Sequence, residues 1–185
     1  MKWEPDDFKL EKSSVWSFPE RGNWATHDAN YRGNCSPYVV RNLLLRYSKE
    51  EDWILDQFVG GGTSLVEAKL LGRNAIGTDV NQKALDRCKE KIAFEYGDVK
   101  VEVRKADARN LNFVKNGSID FICTHPPYAD IIRYTDGIDG DISLLDYNDF
   151  LDAMAQVAEE AFRVLKSGKY CAFVMGDIRQ KGFVR

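Results

Sequence analysis

A glycine-rich turn around residue 61 has the composition of a ligand-binding loop. The apolar residues 53–55 suit a buried strand, and Asp56, Phe58 and the glycines at 60–62 follow them directly. Three glycines let the backbone turn sharply and leave bare amides that a ligand can approach closely. The turn matches neither the dinucleotide fingerprint nor the Walker lysine-serine pattern, which disfavours a phosphate-bearing cofactor. The segment predicts a strand, a glycine turn and a helix that together hold a nucleotide-like ligand.

Two further aspartates stand at the predicted ends of later strands. Asp79 ends the strand predicted at residues 75–79, and Asp107 follows the strand predicted at residues 99–103. An acid at the first place can accept hydrogen bonds from both ribose hydroxyls, and an acid at the second can meet an exocyclic adenine amine. The pair therefore indicates an adenosine-bearing cofactor. The alternative for each aspartate is a helix cap or a solvated strand end.

The sequence His125-Pro126-Pro127-Tyr128 follows a fourth predicted strand. Two successive prolines remove two backbone donors, which leaves the Pro126 carbonyl and the His125 imidazole as acceptors. Tyr128 offers a flat face on which a base can stack. These groups suit a planar substrate that carries an amine. A plain Pro-Pro turn with a packing tyrosine is the structural alternative.

The elements that must position these residues alternate along the chain. Ser36 and Pro37 provide an N-cap and a first-turn proline for a helix that ends near Tyr47. Repeated strand-helix units of this length favour an α/β fold, in which a mostly parallel sheet carries helices on both faces. Residues 1–35 show little periodicity and predict an irregular segment held on the domain formed by residues 36–185. We predict further helices after the glycine turn and at residues 81–96 and 147–166, and strands at 53–55, 75–79, 99–103, 119–123 and 170–175.

Composition limits the class of protein. With 185 residues and 44% hydrophobic content, the chain suits one domain with one core. A formal charge of -3 excludes a protein-wide positive field, so any nucleic-acid binding must come from a local patch. Four cysteines without a CxxC pair, and only two histidines, predict neither a metal site nor a disulfide framework. The charged amino terminus and the lack of a membrane-length apolar run predict a soluble cytoplasmic protein.

Three segments resemble those of one enzyme family. ILDQFVGGGTS resembles the D-x-F-x-G-x-G-T cofactor motif of the amino-group DNA methyltransferases, and HPPY resembles their (Asp/Asn/Ser)-Pro-Pro-(Tyr/Phe) catalytic motif. RGNCSPYVVRNLLLRY resembles the segment that precedes their cofactor motif and packs beside the methionine part of S-adenosylmethionine. The resemblance extends from about residue 17 to residue 177. The two motifs in this order are specific, whereas each alone is not.

The resemblance implies a Rossmann-like methyltransferase fold with S-adenosylmethionine as cofactor and no metal. Asp56 and residues 60–63 would line the methionine end, Asp79 would hold the ribose and Asp107 would meet the adenine. His125, Pro126, Pro127 and Tyr128 would be catalytic. The substrate would be an adenine or cytosine flipped out of duplex DNA and methylated on its exocyclic nitrogen, as in restriction-modification. The complete predicted cofactor set is Ser36, Pro37, Asp56, Phe58, Gly60, Gly62, Thr63, Asp79, Val80, Asp107 and Ala108.

The sequence departs from the family pattern in two places. His125 stands where the family has Asp, Asn or Ser, which leaves both adenine and cytosine open. The chain also ends at Arg185, where the family continues with a further strand pair, so we expect either a truncated chain or a minimal enzyme. Cys123 precedes the prolines instead of following them, so covalent cytosine-carbon methylation is not indicated.

Two other functions stay open, and one loop carries a prediction of its own. The alternatives are an RNA or protein amide methyltransferase of the same fold, and a non-catalytic cofactor-binding part of a split methyltransferase. A second copy or a partner subunit would supply target recognition. Residues 129–146 are acidic apart from Arg133 and Tyr134, which predicts either a mobile loop that orders on substrate binding or a solvated connection.

Overall fold

The chain forms four helices and a five-stranded sheet within the residues that the structure describes. This computed structural model describes residues 2–6, 8–31, 33–129, 134–177, 179–180 and 183–184. None of the helices in these ranges is both long and apolar enough to cross a membrane. In chain order the elements are α1 (Pro37–Tyr47), β1 (Trp53–Asp56), α2 (Thr63–Leu70), β2 (Asn74–Asp79), α3 (Gln82–Ile92), β3 (Val101–Lys105), β4 (Ile119–Thr124), a 3-10 turn (Ile142–Leu144), α4 (Tyr147–Val164), β5 (Leu165–Phe173), β6 (Arg179–Gln180) and β7 (Phe183–Val184).

The main sheet is parallel and has the strand order β3-β2-β1-β4-β5. The chain runs from β1 outward through β2 to β3, and then returns to the other side of β1 to form β4. The strand order therefore reverses between β1 and β4, and a crevice opens beyond the carboxyl ends of these two strands. The predicted α/β class with a mostly parallel sheet is confirmed. β6 and β7 pair with each other as a separate antiparallel ribbon.

Both faces of the central strands are covered by helices. Leu44 of α1 and Leu65 of α2 pack with Ile54 and Phe121 on one face. Val164 of α4 packs with the neighbouring strand residues on the other face. Because side chains alternate between the two faces of a strand, a strand covered on both faces buries the side chains of both. β4 is accordingly buried along its whole length.

Several element boundaries differ from the predicted ones. α3 ends at Ile92 and does not reach residue 96. Lys69 caps the helix end by donating to the Ile92 carbonyl at 3.0 Å and to the Phe94 carbonyl, and Trp3 packs against the Phe94 ring at 4.9 Å between centroids. The aromatic contact with the amino-terminal segment replaces the predicted last helical turn.

The observed strand boundaries also differ from the predicted ones, because a strand begins where its backbone pairs with a neighbouring strand. β3 begins at Val101, which pairs with Ala75, instead of at residue 99. β5 begins at Leu165, which pairs with Ile119, so the predicted helix at residues 147–166 ends two residues earlier. The short β6-β7 ribbon was not predicted.

A buried ionic cluster attaches the amino-terminal segment to the domain. Glu67 of α2 has no solvent exposure. Its carboxylate accepts a hydrogen bond from Trp24 Nε1 at 2.7 Å, bonds to His27 Nε2 at 2.7 Å and pairs with Arg41 Nη1 of α1 at 3.0 Å. Arg41 also forms an ion pair with Glu4. Since a buried charge is stable only with such partners, the cluster fixes this helix-free and strand-free segment against α1 and α2.

Removal of the Glu67 charge should destabilise the fold strongly. We expect Glu67→Gln to lower the free energy of unfolding by about 3 kcal/mol, because Arg41 loses its buried counter-charge. Urea unfolding followed by circular dichroism measures this loss. The control is Glu102→Gln, which breaks a half-exposed pair with Arg104 and should cost less than about 1 kcal/mol. Equal losses in the two variants would contradict the anchoring role of the cluster.

Candidate active site

A cavity lies at the carboxyl ends of the parallel strands. Its wall combines the turn after β1, the ends of β2 and β3, the turn after β4, and two further segments at residues 31–35 and 134–142. Nine of the predicted site residues line it: Asp56, Phe58, Gly60, Thr63, Asp79, Val80, Ala108, His125 and Pro127. The predicted residues Ser36, Pro37, Gly62, Asp107, Pro126 and Tyr128 are not part of this wall.

The glycines of the turn have two different tasks. Gly60 and Gly62 have positive φ angles of 46° and 85°. A Cβ on Gly62 would lie 2.8 Å from the Cys88 sulfur and 3.3 Å from the Cys88 Cα, so Gly62 permits close packing of α3. A Cβ on Gly60 would instead lie 3.0 Å from the Tyr31 ring, on the cavity side. Gly60 therefore lets the Tyr31 ring lie close to the turn, whereas Gly62 packs against α3 and does not line the cavity.

Asp56 joins three elements beneath the cavity. Its carboxylate accepts hydrogen bonds from the Phe58 amide at 3.1 Å, from Thr124 Oγ1 of β4 at 2.7 Å and from Ser64 Oγ of α2. Burial raises the pKa of Asp56 to about 6, and these three hydrogen bonds limit the rise. The residue is thus charged at neutral pH.

Asp79 shapes the glycine turn from the end of β2. It accepts hydrogen bonds from the Gly60 amide at 3.0 Å and from the Asn81 amide at 2.9 Å. Burial raises the pKa of Asp79 above its ordinary value. The side chain lines the cavity beside Val80, which is where a ribose acceptor was predicted, and its ribose role stays a prediction.

Asp107 is not part of the cavity wall, and its carboxylate forms an ion pair with a neighbouring arginine. Arg109 donates to it from Nε at 3.0 Å and from Nη2 at 2.6 Å. Burial acts to raise the pKa of Asp107, but the hydrogen bonds from Arg109 outweigh burial and lower it. Gly140 approaches so closely that a Cβ there would lie 3.0 Å from the Asp107 carboxylate. A role at the adenine would require Asp107 to share its carboxylate between Arg109 and the ligand.

The turn after β4 places a histidine and a tyrosine in contact. His125 Nε2 lies 3.2 Å from the Tyr128 hydroxyl, and the two rings meet edge to face at 5.9 Å. Burial lowers the pKa of His125, and a hydrogen bond with the Gly33 backbone opposes this only in part. The imidazole is therefore neutral at pH 7. Gly176, beyond β5, leaves room for the tyrosine, since a Cβ there would lie 3.2 Å from the hydroxyl.

The amino-terminal segment contributes wall residues that sequence reasoning did not assign to the site. Tyr31, Asn34 and Cys35 line the cavity, and Thr63 Oγ1 donates to Asn34 Oδ1 at 2.5 Å. For Asn34 and Cys35 the available signal was the resemblance of residues 32–47 to a segment that packs beside the methionine part of the cofactor. For Tyr31 it was the aromatic content of residues 1–35, which indicated only a segment held on a surface. The predicted Ser36 has a structural contact instead, because its hydroxyl donates to the Arg21 carbonyl at 2.9 Å.

Residues 134–142 contribute a second unpredicted wall, organised by Asp141. One Asp141 oxygen accepts from Thr135 Oγ1 at 2.6 Å, and the other accepts from the Ser143 amide at 3.0 Å and from its hydroxyl at 2.6 Å. Ile142 and Ser143 are buried. Arg133, which drew attention in the sequence, lies outside the described residues. The mobile-loop hypothesis for residues 129–146 stays a prediction.

Among the described residues, no group of three or more His, Cys, Asp or Glu side chains is arranged to hold a metal ion. The chemistry available at this site is that of carboxylates, hydroxyls, side-chain amides, two thiols, one imidazole and backbone groups. Such a set can bind a polar cationic ligand and can accept hydrogen bonds from an amine.

The chain matches known methyltransferases in sequence. A family model described as DNA methylase matches residues 2–90, and another described as methyltransferase domain matches residues 54–134. The tRNA (guanine(10)-N2)-dimethyltransferase of Methanothermobacter thermautotrophicus is 34% identical over 124 residues, which are 66% of this chain and 35% of that protein. Type II methyltransferase M2.LlaDCHI of Lactococcus lactis subsp. cremoris is 44% identical over 55 residues, which are 30% of this chain and 20% of that protein.

A solved structure supports the same fold. A SAM-dependent methyltransferase from Methanosarcina mazei matches with a TM-score of 0.54 and 24% identity, over 71% of this chain and 55% of that chain. The chain spans about a third of the length of the tRNA enzyme and a fifth of that of the type II enzyme. The methyltransferase fold therefore follows from the solved structure, while the substrate differs between the sequence relatives.

Ionisation of Asp56 should weaken the ligand-free fold as pH rises. Because burial raises its pKa from 3.8 to about 6, the folded state binds more protons than the unfolded state between these values. Asp56 is therefore best tolerated below pH 3.8, and about 3 kcal/mol of stability is lost as pH rises through 6. We expect the stability of Asp56→Asn relative to the unmodified chain to improve by this amount between pH 4 and pH 7.5, in denaturation curves.

Asp120→Asn is the control, because its stability relative to the unmodified chain should change with pH in the opposite direction. Burial acts to raise the pKa of Asp120, but Lys166 and its other donors lower it overall. Its stabilising contribution is lost as pH falls, so that variant should become relatively less stable as pH rises. A stability difference for Asp56→Asn that does not change with pH would show that Asp56 ionises normally.

Proposed function

We propose that the chain is an amino-methyltransferase that takes S-adenosylmethionine as cofactor and methylates the exocyclic amino group of adenine or cytosine in DNA. One observation carries this proposal. The His125-Pro127 turn and the glycine turn border a single cavity, although they lie more than 60 residues apart in the chain. An acceptor for an amine and a site for a methyl donor therefore adjoin each other.

The residues on the cavity wall fit the cofactor. The bare backbone at Gly60 and the amino end of α2 suit its carboxylate. Asp79 and its neighbour Val80 lie where the ribose would be held. When bound, the cofactor supplies an electrophilic methyl group on a sulfonium. Asp107 meets the adenine only if it shares its bond with Arg109.

Catalysis would require the chain to activate the exocyclic amine, which is a weak nucleophile. The lone pair of an aromatic amine is delocalised into its ring, and hydrogen bonds from its N–H groups to His125 and the Pro126 carbonyl favour the reactive pyramidal form. The amine takes the place at His125 Nε2 that the Tyr128 hydroxyl has in the free protein. The Tyr128 ring then stacks on the flipped base, and orientation in line with the methyl group supplies the remaining acceleration.

A second candidate substrate is the guanine N2 amine of tRNA. The observation that favours it is the similarity to the tRNA enzyme, which extends over more of this chain than the similarity to the type II enzyme does. DNA is preferred because the DNA methylase model includes the amino-terminal segment, which forms part of the cavity wall at Tyr31 and Asn34. Both substrates present an exocyclic amine to the same acceptors.

A labelling experiment distinguishes the substrates. We expect methyl-labelled cofactor to label duplex DNA, and nucleoside mass spectrometry to identify N6-methyladenine or N4-methylcytosine. Label found only in tRNA, as N2-methylguanosine, would replace DNA with the second candidate. Cofactor binding without transfer to any nucleic acid would support the non-catalytic part of a split enzyme instead.

Substitutions of His125 test the acceptor role. We expect His125→Ala to lower single-turnover methyl transfer by about 100-fold, since it removes a contact made on the path to the transition state. The dissociation constant of the cofactor should change much less. His125→Asn and His125→Ser keep an acceptor and should retain more activity. Activity of the unmodified chain should fall only at a pH below the ordinary histidine range, because burial lowers the pKa of His125.

Equal single-turnover rates for the Ala, Asn and Ser variants would exclude His125 as acceptor. The Pro126 carbonyl would then be the main contact of the amine. A rate that falls in parallel with cofactor affinity would instead indicate that His125 only shapes the turn.

A further inference from the structure

The weakly exposed carboxylates of the described residues divide into two groups. In the first group each carboxylate faces a cationic side chain. Glu67 pairs with Arg41 at 3.0 Å, and Asp120 pairs with Lys166 at 2.8 Å. Asp52 lies 3.7 Å from Lys169. Such pairing is the usual condition for keeping a charge away from water.

The second group has no cation and lies in the cavity. Its members are Asp56, Asp79 and Asp141, all of which line the wall. No Lys, Arg or His nitrogen of the described residues lies within 4.0 Å of their carboxylates. Their hydrogen-bond donors are amides and hydroxyls, which stabilise a negative charge without cancelling it.

The negative charges of this group act on one another across the cavity. Burial raises the pKa of Asp79, and the charge of Asp141 raises it further. Burial likewise raises the pKa of Tyr31, Asp79 and Asp141 add to the effect, and the positive charge of Arg87 opposes it only in part. His125 is the one basic side chain among the described lining residues, and it is neutral because burial lowers its pKa. The cavity therefore has an uncompensated negative field.

The cofactor and its by-product differ in net charge, so the negative field of the cavity attracts them differently. S-adenosylmethionine has a sulfonium, an ammonium and a carboxylate, which sum to one positive charge. During transfer the new N–C bond forms as the S–C bond breaks, sulfur keeps the S–C electron pair, and the amine proton leaves to solvent. The by-product, S-adenosylhomocysteine, is a thioether with no net charge.

We propose that Asp56, Asp79 and Asp141 make the cavity selective for the cationic cofactor over its neutral by-product, and that Asp141 is a specificity-determining residue. The selectivity promotes release of the by-product after each transfer, because the attraction to the sulfonium disappears with the methyl group. The inference rests on the proposed placement of the cofactor in this cavity. It does not depend on which nucleic acid is the substrate.

The selectivity has a defined pH dependence through Asp56. Its neighbouring titratable groups are Asp79 and the thiols of Cys35, Cys88 and Cys123. Burial raises the pKa of all three thiols, so they are neutral at the pH values concerned. As pH falls through about 6, Asp56 loses its charge and the preference for the cationic ligand narrows.

Calorimetric titration of the full chain with each of the two ligands tests the proposal without nucleic acid. At pH 8 we expect S-adenosylmethionine to bind at least about 10-fold more tightly than S-adenosylhomocysteine. Asp141→Asn keeps the shape of the side chain and should weaken binding of the cationic ligand about 3- to 10-fold. Binding of the neutral ligand should change less than about 2-fold in the same variant. Asp56→Asn is the second variant, and its selectivity should no longer change between pH 8 and pH 5.5.

Asp52→Asn is the matched control, since it removes a buried carboxylate that pairs with Lys169 outside the cavity. The control should keep the selectivity of the unmodified chain. By-product binding as tight as cofactor binding at pH 8 would overturn the proposal. Equal losses of affinity for both ligands in Asp141→Asn would show that Asp141 has only a structural role. Unchanged binding of both ligands in both cavity variants would place the cofactor elsewhere, whatever the labelling of DNA or RNA shows.

Discussion

A buried carboxylate at the end of the central strand organises the site. Asp56 receives its hydrogen bonds from its own turn, from Ser64 in α2 and from Thr124 in β4. These are the elements that meet where the strand order reverses, so one side chain sets their mutual position. Keeping this charge without a cation is unfavourable, as the raised pKa of Asp56 records. In the proposed complex a cationic ligand offsets this cost, because it supplies the missing counter-charge.

The amino-terminal segment is held at the site by a buried carboxylate that, unlike Asp56, has a cationic partner. Glu67 is buried as deeply as Asp56, but Arg41 and His27 surround it, and the result is a fixed attachment. That attachment holds Tyr31 and Asn34 against the glycine turn. Glu67 and Asp56 are thus two buried acids on the same face of the sheet with different roles. One is compensated and stabilises the fold, and the other is uncompensated and prepares a binding site.

Residues at strand ends could be predicted from the sequence because parallel strands deliver their carboxyl ends to one edge. Asp56, Asp79 and His125 follow three different strands, and the order of strands and helices was enough to bring them together. Tyr31 and Asp141 could not be found in this way, since they lie in segments without periodicity and reach the cavity by long-range packing. Asp107 shows the converse limit, because it follows β3 as predicted but its carboxylate pairs with the nearby Arg109 and is not part of the cavity wall. The end of α3 was wrong because packing of Phe94 against Trp3 overrides local helical preference.

The uncompensated charge also gives a physical reason for histidine at position 125. The resembling family has Asp, Asn or Ser at this place, and each provides an oxygen acceptor for the amine. A fourth carboxylate in a cavity that already holds Asp56, Asp79 and Asp141 would meet three like charges and would tend to bind a proton. A protonated carboxyl is a weaker acceptor than a carboxylate and adds a donor where only an acceptor is needed. The neutral imidazole presents a lone pair without adding charge, and burial keeps it neutral by lowering its pKa. The departure from the family motif and the unpaired carboxylates are in this sense two parts of one electrostatic arrangement.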